Sequence, residues 1–291
     1  MMRLRIAAAA AVGIALIGLL GWNLTGPCEP SGVVRASCVG PGGAVILVIL
    51  ALAAGFIAYF AAWPYGREVG VLAVPFGLGL WSIRTAPMAA LMQLNPRPEQ
   101  RHVILAVIRF EPLFWLALIT AGYAGVLIAR QLVPSKVSVD HPSDCKISIN
   151  KHLQTVLAVI ASVVVAQICM SVLATDVRVP DNKMVGQPSV GQIVFAVIVS
   201  FAAAAFVVRR FLGADYIAPA IGSTIITAFA IMFYVRPAVI EALSRNWPGV
   251  FFSTSTAAIL PVQMVAFGAI GAVAGYWLAV RFEWWRRHES Q

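Results

Sequence analysis

Residues 43–66 read GAVILVILALAAGFIAYFAAWPYG, and residues 191–213 read GQIVFAVIVSFAAAAFVVRRFLG. The first stretch holds no charged side chain, and the second holds none before Arg209. An α-helix rises about 1.5 Å per residue, so roughly 20 apolar residues cross a hydrocarbon core about 30 Å thick. Both stretches are long enough, and up to Arg209 neither holds a charge that favours water over lipid.

Working outward, six further apolar runs complete a set of eight expected spans: 4–22, 43–63, 69–83, 112–129, 153–174, 191–208, 216–235 and 259–280. The third is the shortest. Composition agrees with this reading. Of 291 residues, 60% are hydrophobic and 11% are charged, against about 25% charged in an ordinary soluble domain. In water such a chain would expose apolar surface that it could not cover. The expected fold is an all-α integral membrane protein of about eight helices.

The amino terminus, MMRLRIAAAAAVGIALIGLLGW, places Arg3 and Arg5 before an apolar stretch, as a secretory signal does. The stretch is long enough to span, and no clear A-x-A cleavage pattern follows it. A retained first helix is the expectation.

The net charge of +9 would suggest nucleic acid in a soluble protein. Here the basic residues gather at span ends, where they set orientation and meet anionic head groups, so nucleic acid is not an expected partner. With both termini in the cytoplasm, twelve of the 21 lysines and arginines lie inside and nine outside. The bias is modest, and its best carriers are Arg209–Arg210 and the tail RFEWWRRHESQ. The expected location is the inner, or plasma, membrane.

The two quoted stretches also open a longer correspondence. Gly43, Gly66, Arg84, Pro87, Pro96, Pro112, Gly122, Gly125 and Arg130 recur in order as Gly191, Gly213, Arg236, Pro237, Pro248, Pro261, Gly271, Gly275 and Arg281. The offsets all fall between 147 and 152 residues. Two four-helix repeats are expected, 1–130 and 151–291, joined by a cytoplasmic linker at 131–150. Four spans per half make the repeats parallel, related by a pseudo-two-fold axis along the membrane normal. The correspondence also places Arg84 at the outer interface, with a short interfacial helix at 87–95, since proline suits the first turn of a helix.

Ion-coupled carriers usually hold acidic groups inside their spans. In this chain the acids nearest hydrocarbon are Glu68, Glu111 and Asp215, and none falls near a span centre. The outer loops carry the densest polar group, with Arg97, Glu99 and His102 among it. Arg84, Arg101, Arg109 and Glu111 from one half and Arg236, Glu241 and Arg245 from the other are the expected lining of an outward-facing basic pocket. Arginine grips carboxylate and phosphate bidentately, so an anionic ligand or lipid head group would suit it. The competing reading makes these arginines helix anchors at head-group level. His102, Glu111 and Glu241 are the acid–base candidates should the protein be an enzyme.

Cys28 and Cys38 share one short loop on the expected oxidising side, which makes them a candidate disulfide. Within the spans, Thr120, Gln167, Gln192, Ser200, Ser223, Thr224, Thr227 and Gln263 are expected to hydrogen-bond between helices. Gly271 and Gly275 form GxxxG, with Gly122 and Gly125 in matching places; these suit close helix contacts within the chain or between two copies.

No metal site is expected. Asp140, His141, Asp144 and Cys145 lie close in sequence but lack a recognised ligand spacing. No cofactor is expected either, since the phosphate, dinucleotide, haem and hydrolase signatures are absent. The expected function is that of a transporter-like protein or membrane-complex subunit handling a lipid or a small anionic or apolar molecule. A purely structural subunit and a lipid-modifying enzyme are the alternatives. Expected partners are membrane lipids, other membrane subunits or a second copy.

Overall fold

A computed structural model describes residues 2–25, 28, 30–133, 151–174, 178–179, 184–234, 236, 238–241 and 251–289. Of the expected linker, only 131–133 fall among them.

Six helical stretches are long and apolar enough to cross a membrane. They lie in α1 (Met2–Leu24), α2 (Pro41–Ala61), the continuous pair α5 (Pro98–Ile108) and α6 (Glu111–Leu132), α7 (Lys151–Leu173), α8 (Val190–Leu212) and α10 (Pro261–Glu289). A seventh appears if α3 (Gly66–Arg84) and α4 (Met88–Leu94), which meet at a bend of 47°, count as one passage. The remaining apolar helix, α9 (Ile217–Tyr234), is shorter. Every expected segment is thus largely helical, but a bend follows the third and the seventh is short. This is the architecture of an all-α membrane protein with six or seven spans by length and composition.

α10 is the axis of the molecule. It packs on α3, α6, α8 and α9, and 72% of its apolar window is buried, against 22% for α7 at the periphery. Gly275 meets the backbone of Ala202 and Gly271 that of Ile198, so α8 and α10 touch backbone to backbone. α2 and α6 do the same, with Gly55 on Gly122 and Gly125 on Leu52. A Cβ at any of these contacts would collide with main chain, which cannot move aside. The small-residue motifs therefore serve contacts within this chain.

α1 contains a π-helical stretch, Ile14–Leu20. There the Gly18 carbonyl accepts a hydrogen bond from the Trp81 indole N–H at 3.1 Å, which ties α1 to α3. α8 ends where Gly213 takes a left-handed conformation, φ 64°, the cap that glycine supplies most cheaply.

The end of the bundle opposite the termini carries a small cap. It comprises the loop joining α1 to α2, α4, α5 and a three-stranded antiparallel sheet of β1 (Arg178–Val179), β2 (Met184–Gly186) and β3 (Phe251–Phe252), in the order β1-β2-β3. Val185 pairs with both Arg178 and Phe252. The sheet links the approach to α8 with the approach to α10. One apolar core beneath the cap joins Trp81, Leu91 and Trp115 to Ile240, Phe252 and Leu260. Residues from both sides of the 131–150 linker therefore share it.

Candidate functional site

The residues expected to form an outer basic pocket are placed individually. Arg84 is exposed, with its guanidinium 4.1 Å from the ring centre of Trp22. Arg101 is buried and turned inward. Its Nε donates to the Asn95 carbonyl at 2.9 Å and a terminal nitrogen to the Met92 carbonyl at 3.4 Å. It thereby adds a donor to two carbonyls where α4 ends, of which Met92's also accepts from the Asn95 N–H at 3.3 Å. Arg109 lies over Phe110 at 4.5 Å. Arg245 falls outside the described residues.

Glu111 is buried at the first turn of α6, where a carboxylate suits the positive end of the helix dipole. Its partner is Arg35, 3.6 Å away, and the backbone of Ala36 and Ser37 also hydrogen-bonds to it. Sequence reasoning did not select Arg35. The available signal was its place between the two cysteines, because Cys28 and Cys38 are bonded, with Cα atoms 5.9 Å apart. The bond closes the loop that carries Arg35 to Glu111.

One juxtaposition does bring together expected pocket residues from before and after the 131–150 stretch. Ile240 and Glu241 face Pro98, Glu99, His102 and Val103 of α5 across a pocket of about 460 Å³. Among the described residues its lining carries Glu99, His102 and Glu241. Arg236 is exposed beside it in sequence.

At the opposite end, Arg209 of α8 and Glu283 of α10 form a buried ion pair at 3.6 Å, with the Arg209 guanidinium 5.3 Å from the Tyr276 ring centre. Tyr276 stacks edge-on against Tyr216 at 5.6 Å, and Asp215 and Glu68 lie within electrostatic reach of it. Glu283 was hidden from sequence reasoning inside the basic tail. Its spacing of seven from Tyr276 places both on one face of α10.

The arrangement with the clearest relation to a ligand lies between α7 and α9. Here the chain approaching α10 enters the bundle as a short 3₁₀ helix, Ser255–Ala258, capped by Thr254. Thr256 reaches Gln167, whose Nε2 donates to the threonine hydroxyl at 3.4 Å. Gln167 sits six residues before the end of α7, about 9 Å down its axis at 1.5 Å per residue. Backbone outside α-helices is tolerated between spans where protein buries it or where it lines a cavity. Both hold here. Residues 255–260 are buried, and Thr254 and Thr256 line a cavity of about 370 Å³ with Val163, Gln167, Ile225, Ile226, Phe229 and Ala230.

Side-chain amides hold this segment in place. The Gln187 Nε2 donates to the Ala258 carbonyl at 3.0 Å, while its Oε1 accepts from the Ala89 N–H. Gln263 accepts from the Leu260 N–H at 3.1 Å and donates to the Ser82 carbonyl at 3.0 Å. It thereby joins α10 to α3. Elsewhere in the spans, Gln192 donates to the Leu173 carbonyl. The hydroxyls of Thr120, Ser223 and Thr227 bond to carbonyls of their own helices. Those of Ser200 and Thr224 are buried without a hydrogen-bond partner among the described residues.

Among the described residues no group of three or more His, Cys, Asp or Glu side chains could hold a metal ion. Asp140, His141, Asp144 and Cys145 lie outside them. No protein-family model matches the chain, and neither a curated protein nor a solved structure matches it.

Proposed function

We propose that this is a transporter-like protein or membrane-complex subunit of the plasma membrane that takes an apolar or lipid-like small molecule from the bilayer into the groove between α7 and α9. One observation carries the reading: an apolar cavity with polar groups from Gln167, Thr254 and Thr256, between two apolar helices and about 9 Å inside the end of α7. Its volume lies within the usual 300–1,000 Å³ range of small-molecule sites. The rim is flanked by exposed apolar side chains, Val164 and Ile168 on α7 and Phe229 and Met232 on α9, so the molecules that reach it first are lipids.

The proposed frame is two parallel four-helix repeats, 1–130 and 151–291, with both termini cytoplasmic. The paired glycine contacts support it. Gly122 approaches Ala51 and Gly271 approaches Ile198; Gly125 approaches Leu52 and Gly275 approaches Ala202. These are equivalent crossings at the offset seen in the sequence.

Among the described residues the groove's lining contains no titratable side chain, which favours binding over acid–base chemistry. A structural-subunit reading draws on the exposed apolar face of α7, including Leu153, Ile160 and Val172. Lipid alone suffices to cover such a face.

Native mass spectrometry of the detergent-purified protein tests the proposal. Wild type is expected to carry bound lipid-like mass that is lost when Ala230→Trp fills the groove. Equal retention in both proteins would overturn it.

A further inference from the structure

The chemistry of the groove's polar end says more than its shape. Resting on the proposal that the groove is occupied, we infer that it selects a single apolar chain ending in an uncharged hydroxyl, as in a long-chain alcohol, over a chain with a charged head. Among the described residues the walls are Val163, Ile225, Ile226, Phe229 and Ala230, and the polar lining consists of one amide and two hydroxyls, with no lysine, arginine, aspartate or glutamate.

In a low-dielectric surround a head group with a full charge needs an opposite charge or several donors, and without them its desolvation is not repaid. This lining offers neither. A hydroxyl asks for one donor and one acceptor, and Gln167 supplies both. Its Nε2 bond to Thr256 is long at 3.4 Å, and its Oε1 accepts no hydrogen bond among the described residues. An incoming O–H can donate to Oε1 and accept from Nε2 or from a threonine hydroxyl. The anchoring of Thr254 adds order to this end: its own carbonyl and hydroxyl both accept from the Ala257 N–H, which fixes the turn beside the site. The ligand chain then runs along α7 and α9 toward Phe229, which is 68% exposed and faces the surrounding lipid.

The test uses the full chain in phospholipid nanodiscs with three chain-matched diazirine probes: an alcohol, a fatty acid held ionised above neutral pH, and a plain hydrocarbon. Photolabelled peptides are quantified by mass spectrometry. The alcohol is expected to label peptides covering 163–167 and 225–230 more strongly than either companion. Gln167→Leu and Thr256→Val should each lower alcohol labelling by about 3- to 10-fold, the worth of one neutral hydrogen bond, while leaving hydrocarbon labelling unchanged. Two variants are used so that misfolding of one, seen in its gel-filtration profile, leaves the other decisive. Equal labelling by acid and alcohol, or no effect of either variant, overturns the selectivity and leaves groove occupancy standing. Absence of labelling by all three probes overturns both.

Discussion

Arg35 and Glu111 meet at 3.6 Å beneath the Cys28–Cys38 bond. The arginine comes from the loop between α1 and α2, and the glutamate opens α6. This pair joins two elements that lie about 75 residues apart in the chain.

Removing one partner of a buried pair strands the other. Glu111→Ala is expected to cost about 3–5 kcal/mol, whereas an apolar replacement of both, Arg35→Met with Glu111→Leu, should cost clearly less than the sum of the single changes. Thermal melting in detergent checks this. Strict additivity would show that the two do not interact.

The disulfide closes a short loop, and deleting it by Cys28→Ser with Cys38→Ser is expected to cost about 2–4 kcal/mol. Alkylation of the denatured, unreduced protein should modify Cys169, the free cysteine among the described residues, and spare Cys28 and Cys38. Modification of all three would contradict the bond.

Gly55→Ala and Gly275→Ala force a methyl group into main chain at α2–α6 and α8–α10. Each is expected to cost about 1–3 kcal/mol, the usual range for overpacking. Gly42→Ala, with open space around it, serves as the neutral control. Because these glycines serve contacts inside one chain, the substitutions should lower stability and leave the oligomeric state unchanged. Analytical ultracentrifugation in detergent reads the second quantity, and a shift in mass would reassign the motif to a contact between copies.

Glu283→Ala leaves Arg209 buried without its carboxylate, and a loss of about 3–5 kcal/mol is again expected. Replacing both by apolar residues should recover part of it. A melt unchanged by Glu283→Ala would show that the pair contributes nothing to α8–α10 packing.

Much of this fold was legible in the sequence. The uninterrupted apolar runs at 43–63 and 191–208 became α2 and α8, and the proline at 87 does precede a short helix, α4. What escaped was set by tertiary contacts. The expected eighth span began at 259, but Ile259 and Leu260 are extended, because the Gln263 side chain takes the Leu260 N–H and Pro261 then opens the helix. The strands are two or three residues long, too short for an alternating pattern to register. Arg101 was read as facing outward because arginine in a loop usually does. Its burial depends on the two carbonyls at the end of α4, which only the folded chain brings within reach. The groove was invisible for the same reason: Gln167 and Thr256 lie 89 residues apart, and neither has a motif around it.

Every part of this account presumes that hydrocarbon surrounds the exposed faces of α2, α7 and α8. Extraction measures that directly. Expressed in cells, the full chain should stay with the membrane pellet through alkaline carbonate washing and enter solution only with detergent. Recovery as a monodisperse species in detergent-free buffer would contradict it.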